Sequence, residues 1–164
     1  MPTTHTTITL TFGTDATGRP TMMTPQGGLI SYNRNFKTHL EAMRTLPVEM
    51  QLLQTSGYML PGGAAAVWFP NMLASGTNEW TNRLLANDTI IEEKEPPKKS
   101  GQNSGNPILW QNALRITFAK VSSQGYRFVG VFKEDQTANQ SGIHVYKRVT
   151  NLASIAVDTA VTTI

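Results

Sequence analysis

The stretch from Arg115 to Val149 constrains the fold more than any other part of the chain. It reads RITFAKV, SSQG, YRFVGVFKED, a polar loop and IHVYKRV. In the first and last of these segments apolar and polar residues alternate, which is the periodicity of a β-strand with two different faces. The SSQG link is short and polar and ends in glycine, as a hairpin loop requires. The sequence therefore predicts three consecutive strands that form a meander.

The middle strand of this meander carries apolar side chains on both faces. Alternation places Tyr126, Phe128 and Phe132 on one face and Val129 and Val131 on the other. Such a strand is typical of the centre of a sheet, where both faces are covered. A glycine at position 130 interrupts the strand, and a glycine there often marks a bulge, a bend or a close approach of two backbones.

Length and composition favour one soluble domain. The 164 residues are enough to bury a hydrophobic core, and no apolar run approaches the roughly 20 residues of a membrane span. Cysteine is absent, which excludes disulfides, thiolate metal sites and cysteine catalysis. The N-terminus lacks the features of a signal peptide. We expect a single domain over residues 1–164, cytoplasmic, without membrane contact or cofactor, and with a flexible loop at 95–107.

Positive charge is concentrated in the C-terminal third of the chain. Residues 1–105 carry eight basic and eight acidic side chains, whereas residues 106–164 carry six basic and three acidic ones. A basic sheet surface suggests a polyanionic partner, most often nucleic acid. A net charge of +3 is also ordinary for a soluble domain, so the charge alone leaves both interpretations open.

The chain before residue 95 is predicted to add strands and two helices. Period-two alternation in the threonine-rich segment 3–12 indicates an edge strand, and residues 13–28, rich in Gly and Pro, indicate a loop. Phe36, Leu40 and Met43 are spaced as one buried stripe of a helix over residues 32–46, which Ser31 or Asn33 can cap.

A second, short helix is predicted to start at Asn78 and to hold Trp80, Leu84 and Leu85. One strand is predicted to end at Leu60. Three further strands are predicted over residues 64–69, 89–94 and 156–164. If residues 64–69 form a strand, Trp68 and Phe69 point to opposite faces, and at least one enters a second core or lines a pocket.

Aromatic and basic side chains form the first set of candidate binding residues. Aromatic rings hold unstacked bases, and Lys and Arg hold backbone phosphates. The plain alternative is that these aromatic residues belong to the core, since Trp and Tyr bury large areas in any small domain. The base-binding candidates are Trp68, Trp80, Tyr126 and Tyr146, and the phosphate-binding candidates are Arg34, Arg127, Lys147 and Arg148.

A second set consists of Glu92 and Lys94, which follow two isoleucines at the end of a predicted strand. A strand that ends in Glu-x-Lys with an upstream acid is the skeleton of PD-(D/E)xK nucleases, in which two carboxylates hold Mg²⁺. Asp88 is too close in sequence for the first acid, and Glu79 lies at a helix start. The three histidines are isolated, without HxxxH or HExxH spacing, so no metal site is predicted.

The segments RITFAKV, YRFVGVFKED and HVYKRV resemble the strand core of PUA-like domains, the group that includes SRA, EVE and YTH modules. The resemblance is strongest to SRA-like readers attached to modification-dependent restriction enzymes. It implies an α+β fold with a curved, mixed, mainly antiparallel sheet or a partly open β-barrel, and two or more short helices. It also implies an aromatic pocket for a flipped, modified base, with Trp68 and Trp80 as stacking walls and basic residues on the backbone.

These observations predict a nucleic-acid-binding module that reads a modified or flipped base, in DNA rather than RNA, and that is not itself an enzyme. A nuclease or other effector domain or subunit is the implied partner. The first alternative is a protein-interaction or structural module without nucleic-acid binding. The second is a Mg²⁺-dependent nuclease that uses Glu92 and Lys94.

Overall fold

The computed structural model describes residues 3–46, 57–60, 65–74, 79–96 and 113–162. Strands dominate these ranges, and the one α-helix within them is short. The elements are β1 (Thr3–Thr14), β2 (Pro20–Thr24), β3 (Gly28–Ile30), α1 (His39–Met43), β4 (Gly57–Met59), β5 (Ala65–Trp68), β6 (Thr81–Leu85), β7 (Ile90–Lys94), β8 (Leu114–Ser122), β9 (Gly125–Glu134), a 3-10 helix (Gln136–Ala138), β10 (Ile143–Arg148) and β11 (Ser154–Thr162).

The strands form two sheets. A four-stranded sheet has the order β11-β1-β2-β3, and a seven-stranded sheet has the order β4-β5-β8-β9-β10-β7-β6. Strands β5 and β8 pair in parallel, whereas the other paired strands are antiparallel. The predicted mixed, mainly antiparallel sheet is therefore confirmed. In the described part of the chain the sheets do not close into a barrel.

The predicted meander is present, and a bulge in its middle strand changes which side chains share a face. Strands β8, β9 and β10 pair in sequence order. Thr117 pairs with Gly130 and Phe118 with Phe128, so Val129 is an extra residue in β9. Because one inserted residue reverses the alternation beyond it, the prediction that Phe128 and Phe132 share a face is wrong.

This bulge distributes the apolar residues of β9 between two cores. Phe128 and Val131 join a first core that includes residues from both sheets and α1. Val129 and Phe132 join a second core on the other face of the seven-stranded sheet. Trp68 enters the second core, whereas its neighbour Phe69 belongs to the first core, on the other face of the sheet. The face of the seven-stranded sheet that carries Trp68, Ile91, Ala119, Val129, Phe132 and Tyr146 is called the second face below.

The helix predicted over residues 32–46 is shorter than expected. Helix α1 spans His39–Met43, and its N-cap is Thr38, whose hydroxyl accepts a hydrogen bond from the Glu41 amide. The residues before it form a turn at Tyr32 and Asn33 and a β-bridge at Phe36, which exchanges two backbone hydrogen bonds with Tyr126 at the start of β9. The predicted stripe is also wrong at Leu40, which is 39% exposed.

The predicted second helix is wrong, since Thr81–Leu85 is strand β6 and pairs with β7. Its proposed cap, Asn78, lies outside the described residues. A four-residue turn joins the two strands, and Ala86, Asn87 and Asp88 within it all have left-handed φ values. The local sequence favoured a helix, but pairing with β7 decides the conformation. Of the two predicted helices, only α1 is present within the described ranges.

The N-terminal segment departs from its prediction in two ways. The predicted strand exists as β1, but it lies between β11 and β2 and is not an edge. Part of the predicted loop at 13–28 is strand β2. The strand predicted over residues 89–94 is β7, Ile90–Lys94. The strand predicted over residues 156–164 is β11, which begins two residues earlier, at Ser154. The predicted flexible loop lies outside the described residues from residue 97 onward. No helix in the described ranges is long and apolar enough to cross a membrane.

Gly125 provides a test of the backbone contact between Phe36 and Tyr126, which precedes α1. A Cβ at this position would lie 2.1 Å from the Phe36 carbonyl oxygen, and its φ is +146°. Gly142 also has a positive φ of +73°, but a Cβ there would meet nothing within 4 Å. We expect Gly125→Ala to lower the free energy of unfolding by about 3 kcal/mol or more, and Gly142→Ala by only about 1 kcal/mol. Urea unfolding followed by circular dichroism measures both, and equal losses would contradict the importance of this contact.

Candidate nucleic-acid interface

The second face carries a row of polar side chains beside its core. Alternation along β10 places His144, Tyr146 and Arg148 on it, and alternation along β7 adds Glu93 to the Ile91 side. Strand register sets their neighbours, because His144 pairs with Glu93 and Tyr146 with Ile91. The face therefore has a carboxylate-rich end near His144 and an arginine-rich end near Arg148.

Arg115 occupies the middle of the second face. Its side chain is 1% exposed, and its guanidinium carbon lies 4.7 Å from the Trp68 ring centroid and 4.4 Å from that of Tyr146. The two aromatic rings are themselves 4.7 Å apart. Guanidinium groups are stabilised over aromatic faces, and more so when water is excluded. Trp68, Tyr146 and Arg115 therefore form one packed aromatic and cationic unit.

Glu93 lies next to this unit and is 7% exposed. The Tyr146 hydroxyl donates a hydrogen bond of 3.3 Å to Glu93 Oε1. Burial raises the pKa of Glu93 to about 7, although the nearby charges of Arg115 and His144 act in the opposite direction. Near neutral pH the carboxyl group is thus present in both forms, and its neutral form can donate a hydrogen bond as well as accept one.

His144 links the remaining carboxylates of the second face. Its Nε2 lies 2.6 Å from Glu95 Oε1, and its Nδ1 lies 3.3 Å from Glu134 Oε2. Burial opposes the charged form of the ring, but the two carboxylates outweigh it, so the pKa of His144 is raised. The half-buried Trp80 stands beside this ring, with 6.1 Å between the ring centroids. An aromatic surface therefore adjoins a set of hydrogen-bonding groups.

The arginine-rich end is built around Tyr32. The Arg19 guanidinium carbon lies 3.7 Å from the Tyr32 ring centroid. Arg127 lies 5.3 Å from the same centroid and donates a 2.8 Å hydrogen bond to the Tyr32 carbonyl oxygen. Arg148 lines a cavity of about 560 Å³ beside them. Three cations thus converge on one end of the second face.

The structure separates the predicted base-binding residues into two groups. Trp68, Trp80 and Tyr146 lie together on the second face. Tyr126 packs against the first core instead, and its hydroxyl lies 3.0 Å from His39 Nε2. Trp68 and Tyr146 are buried and packed, so Trp80 is the predicted aromatic residue of this face that offers an open surface.

The predicted phosphate-binding residues are also divided. Arg127 and Arg148 belong to the second face, whereas Lys147 points away from it, because adjacent residues of a strand alternate. The Lys147 ammonium lies 2.7 Å from Asp135 Oδ2. Arg34 donates a 2.9 Å hydrogen bond to the Gly27 carbonyl oxygen and lies over the Phe36 ring. Arg127 and Arg148 are therefore the two candidates that the fold brings together.

The alternative nuclease residues lie on the opposite side of β7 from Glu93. Glu92 Oε1 accepts a 2.6 Å hydrogen bond from Arg83, and Lys94 is exposed at the end of the strand. Within the described ranges, no group of three His, Cys, Asp or Glu side chains is placed to hold a metal ion.

Sequence reasoning missed Arg19, Tyr32, Glu93 and Arg115. Alternation gave no burial signal for Arg115, which shares its side of the strand with Thr117 and not with Leu114 and Ile116. It gave none for Glu93 either, since Ile90 and Glu92 lie on one side of that strand and Ile91 and Glu93 on the other. Arg19 and Tyr32 also gave no such signal, because loop residues show no hydrophobic periodicity.

Two comparisons with known proteins found related molecules. Residues 26–155 match the family model described as the SET and RING associated domain, SRA. Among solved structures, the chain is similar to the 5-hydroxymethylcytosine-specific restriction enzyme AbaSI, at 26% sequence identity and a TM-score of 0.53. The alignment covers 78% of this chain and 42% of that chain, so this protein spans less than half of the enzyme's length. No curated protein matches the chain.

The pKa of Glu93 predicts how stability changes with pH. A carboxyl whose pKa is higher in the folded state stabilises the fold below its unfolded pKa, near 4.5, and this contribution is lost as pH rises through about 7. We expect the free energy of unfolding to fall by on the order of 2–3 kcal/mol between pH 5 and 8. Glu93→Gln cannot ionise, so its decline should be smaller. Chemical denaturation across this range measures both proteins, and parallel curves would contradict the assignment.

Proposed function

The chain belongs to the SRA family, and on that premise we propose that it is a DNA reader whose second face accepts a modified cytosine flipped out of the duplex. Membership confirms the predicted SRA-like, PUA-type resemblance and supports the predicted DNA-reading function. The observation that carries the proposed site is Glu93, a carboxyl with a pKa of about 7 buried beside Tyr146 and Arg115.

A neutral carboxyl group is complementary to the Watson–Crick edge of cytosine. That edge presents the N4 amino group, a donor, beside N3, an acceptor. The neutral Glu93 carboxyl carries one O–H donor and one acceptor oxygen, so it can satisfy both positions at once. Enzymes and readers that extrude a base recognise it through this edge. An ionised Glu93 accepts from N4 but cannot donate to N3, and the match is then incomplete.

Trp80 supplies the stacking surface for this base. It is half-buried and adjoins His144, which is held by two carboxylates. Stacking of a base on an aromatic side chain contributes about 1–3 kcal/mol. The packed unit of Trp68, Tyr146 and Arg115 then acts as the rigid floor beneath the base, and rigid support is what positions a recognition group accurately.

The choice of cytosine has independent support. The similar solved structure is described as an enzyme specific for 5-hydroxymethylcytosine. We propose that the base read by this chain is likewise a cytosine with a substituent at C5. Since the chain spans 42% of that enzyme's chain, we further propose that the reader acts beside a nuclease or another effector domain or subunit.

Backbone contacts are assigned to the cations that share the second face. Arg127 and Arg148 lie on the same side of the sheet as Glu93, so a strand that delivers a base to the carboxylate end can pass over both. Such contacts add affinity without sequence information. Arg34 and Lys147 stay predicted phosphate contacts at the periphery of the interface.

Fluorescence-anisotropy titration tests the function directly. The duplexes carry unmodified cytosine, 5-methylcytosine, 5-hydroxymethylcytosine or N6-methyladenine, at about 50 and 200 mM salt. We expect binding that weakens with salt and that prefers one modified cytosine. Trp80→Ala should reduce that preference by about tenfold or more through lost stacking, whereas Leu29→Ala, which truncates an exposed side chain on the other sheet, should not. Absence of any preference in the unaltered protein would remove the proposal, and absence of any binding at low salt would favour the protein-interaction alternative.

The protonation state of Glu93 yields a second test. We expect the preference for the modified duplex to decline as pH rises from 6 to 8, because ionisation near pH 7 removes the donor to N3. Glu93→Gln retains one donor and one acceptor, so it should bind at pH 6 and lose little preference at pH 8. Identical pH profiles for the two proteins would show that Glu93 does not contact the base.

A further inference from the structure

A large cavity lies at the arginine-rich end of the second face, apart from the base site near Trp80. Its volume is about 560 Å³, and residues of the β1–β2 loop, the β6–β7 turn, β9 and β10 line it. Its charged and aromatic lining consists of Arg19, Tyr32, Asp88 and Arg148. We refer to it as the Arg19 cavity.

Arg19 is held in place by stacking and not by strong pairing. Its guanidinium lies 3.7 Å from the Tyr32 ring centroid. The ion pair with Asp88 is long, at 4.0 Å from NH1 to Oδ2, with side chains 43% and 37% exposed. An exposed pair of this length contributes little. Among the described residues, Arg19 NH1 is buried and makes no hydrogen bond, while the rest of the side chain is accessible and lines the cavity.

Arg148 reaches the same cavity because position 130 is glycine. A Cβ on Gly130 would lie 2.8 Å from Arg148 Cδ and 3.3 Å from Pro20 Cγ. The absence of a side chain at Gly130 therefore leaves room for the arginine stem beside Pro20. Arg19, Arg148 and Asp88 thus line one cavity, and Arg127, which is bound to Tyr32, lies nearby.

The position of Asp88 is set by the β6–β7 turn, whose backbone conformation is rare. Ala86, Asn87 and Asp88 have φ values of +52°, +56° and +63°. Residues other than glycine rarely adopt this conformation, and it persists where the surroundings require it. The turn positions Asp88 opposite Arg19 at the mouth of the cavity.

We propose that the Arg19 cavity seats a phosphate of the DNA backbone, which Arg19 and Arg148 bind and for which Asp88 competes at Arg19. Guanidinium groups bind phosphate oxygens through paired hydrogen bonds, and the aromatic residue of the cavity, Tyr32, already stacks with Arg19 and adjoins Arg127. The inference rests on the proposed function, since the cavity and the base site share the second face.

The competition makes an unusual prediction about Asp88. Asp88→Asn removes the negative charge but retains a side chain that tolerates left-handed φ. If a phosphate enters the cavity, this variant should bind DNA more tightly, by roughly three- to tenfold. If the Arg19–Asp88 pair only stabilises the fold, the substitution brings no gain beyond that of any lost carboxylate.

The experiment is an anisotropy titration of the full chain with duplexes that carry cytosine or 5-hydroxymethylcytosine, at several salt concentrations. Arg19→Gln should weaken binding to both duplexes by about tenfold and reduce the salt slope by about one. The ratio between the two duplexes should not change. Arg19→Lys keeps the charge and should give an intermediate loss. Matched controls on the opposite side of the sheet are Lys133→Gln for a lost cation and Glu92→Gln for a lost carboxylate, and both should have smaller effects.

Three results would overturn the inference. They are unchanged affinity in Arg19→Gln, an altered ratio between the duplexes, which would show that the cavity reads a base, and an effect of Asp88→Asn no larger than that of Glu92→Gln. Failure of the proposed function is distinguishable, because it appears as the absence of preference in the unaltered protein, whereas the variants still report on backbone binding. Melting temperatures confirm that each variant is folded.

Discussion

The burial of Arg115 and Glu93 on one face of the seven-stranded sheet is the constraint on which the rest of the structure depends. Charges removed from water destabilise a protein by several kcal/mol unless partners surround them. Here Trp68 and Tyr146 cover the guanidinium, and the Tyr146 hydroxyl binds Glu93. A purely structural core would favour apolar residues at these positions. This is consistent with our proposal that these polar groups recognise a ligand that is itself polar and aromatic.

The bulge at Val129, next to Gly130, makes this arrangement possible. By inserting Val129, it turns Phe128 toward the first core and Phe132 toward the second, so a single central strand supports both. The same glycine leaves room for Arg148 to cross the strand. One backbone irregularity thus links the packing of two cores to the position of a cation that we assign to the DNA backbone.

Charge divides the second face into a carboxylate-rich end and an arginine-rich end, to which we assign different functions. Near His144 the carboxyl groups of Glu93, Glu95 and Glu134 provide acceptors and one titratable donor, which suits the edge of a base. Near Tyr32 the guanidinium groups suit phosphate. A duplex approaching this face meets cations at one end, while the carboxylates lie sheltered at the other, so the negative groups do not repel the backbone. This separation explains how a protein with a net charge of only +3 can hold a polyanion.

The sequence by itself determined the elements whose signals are local. Period-two alternation identified β1, β8, β9 and β10, short apolar segments indicated β5 and β7, and the segments of the meander were sufficient to identify the PUA-like group. Trp80 and Arg148 were named from residue type alone. Only the tertiary structure decided that residues 81–85 form a strand, because pairing with β7 outweighs a weak helical preference. It also decided that Lys147 and Tyr126 face away from Glu93, and that Arg19 meets Asp88 across 69 residues of sequence. These outcomes depend on strand register and on contacts between distant segments, and no short window of sequence contains that information.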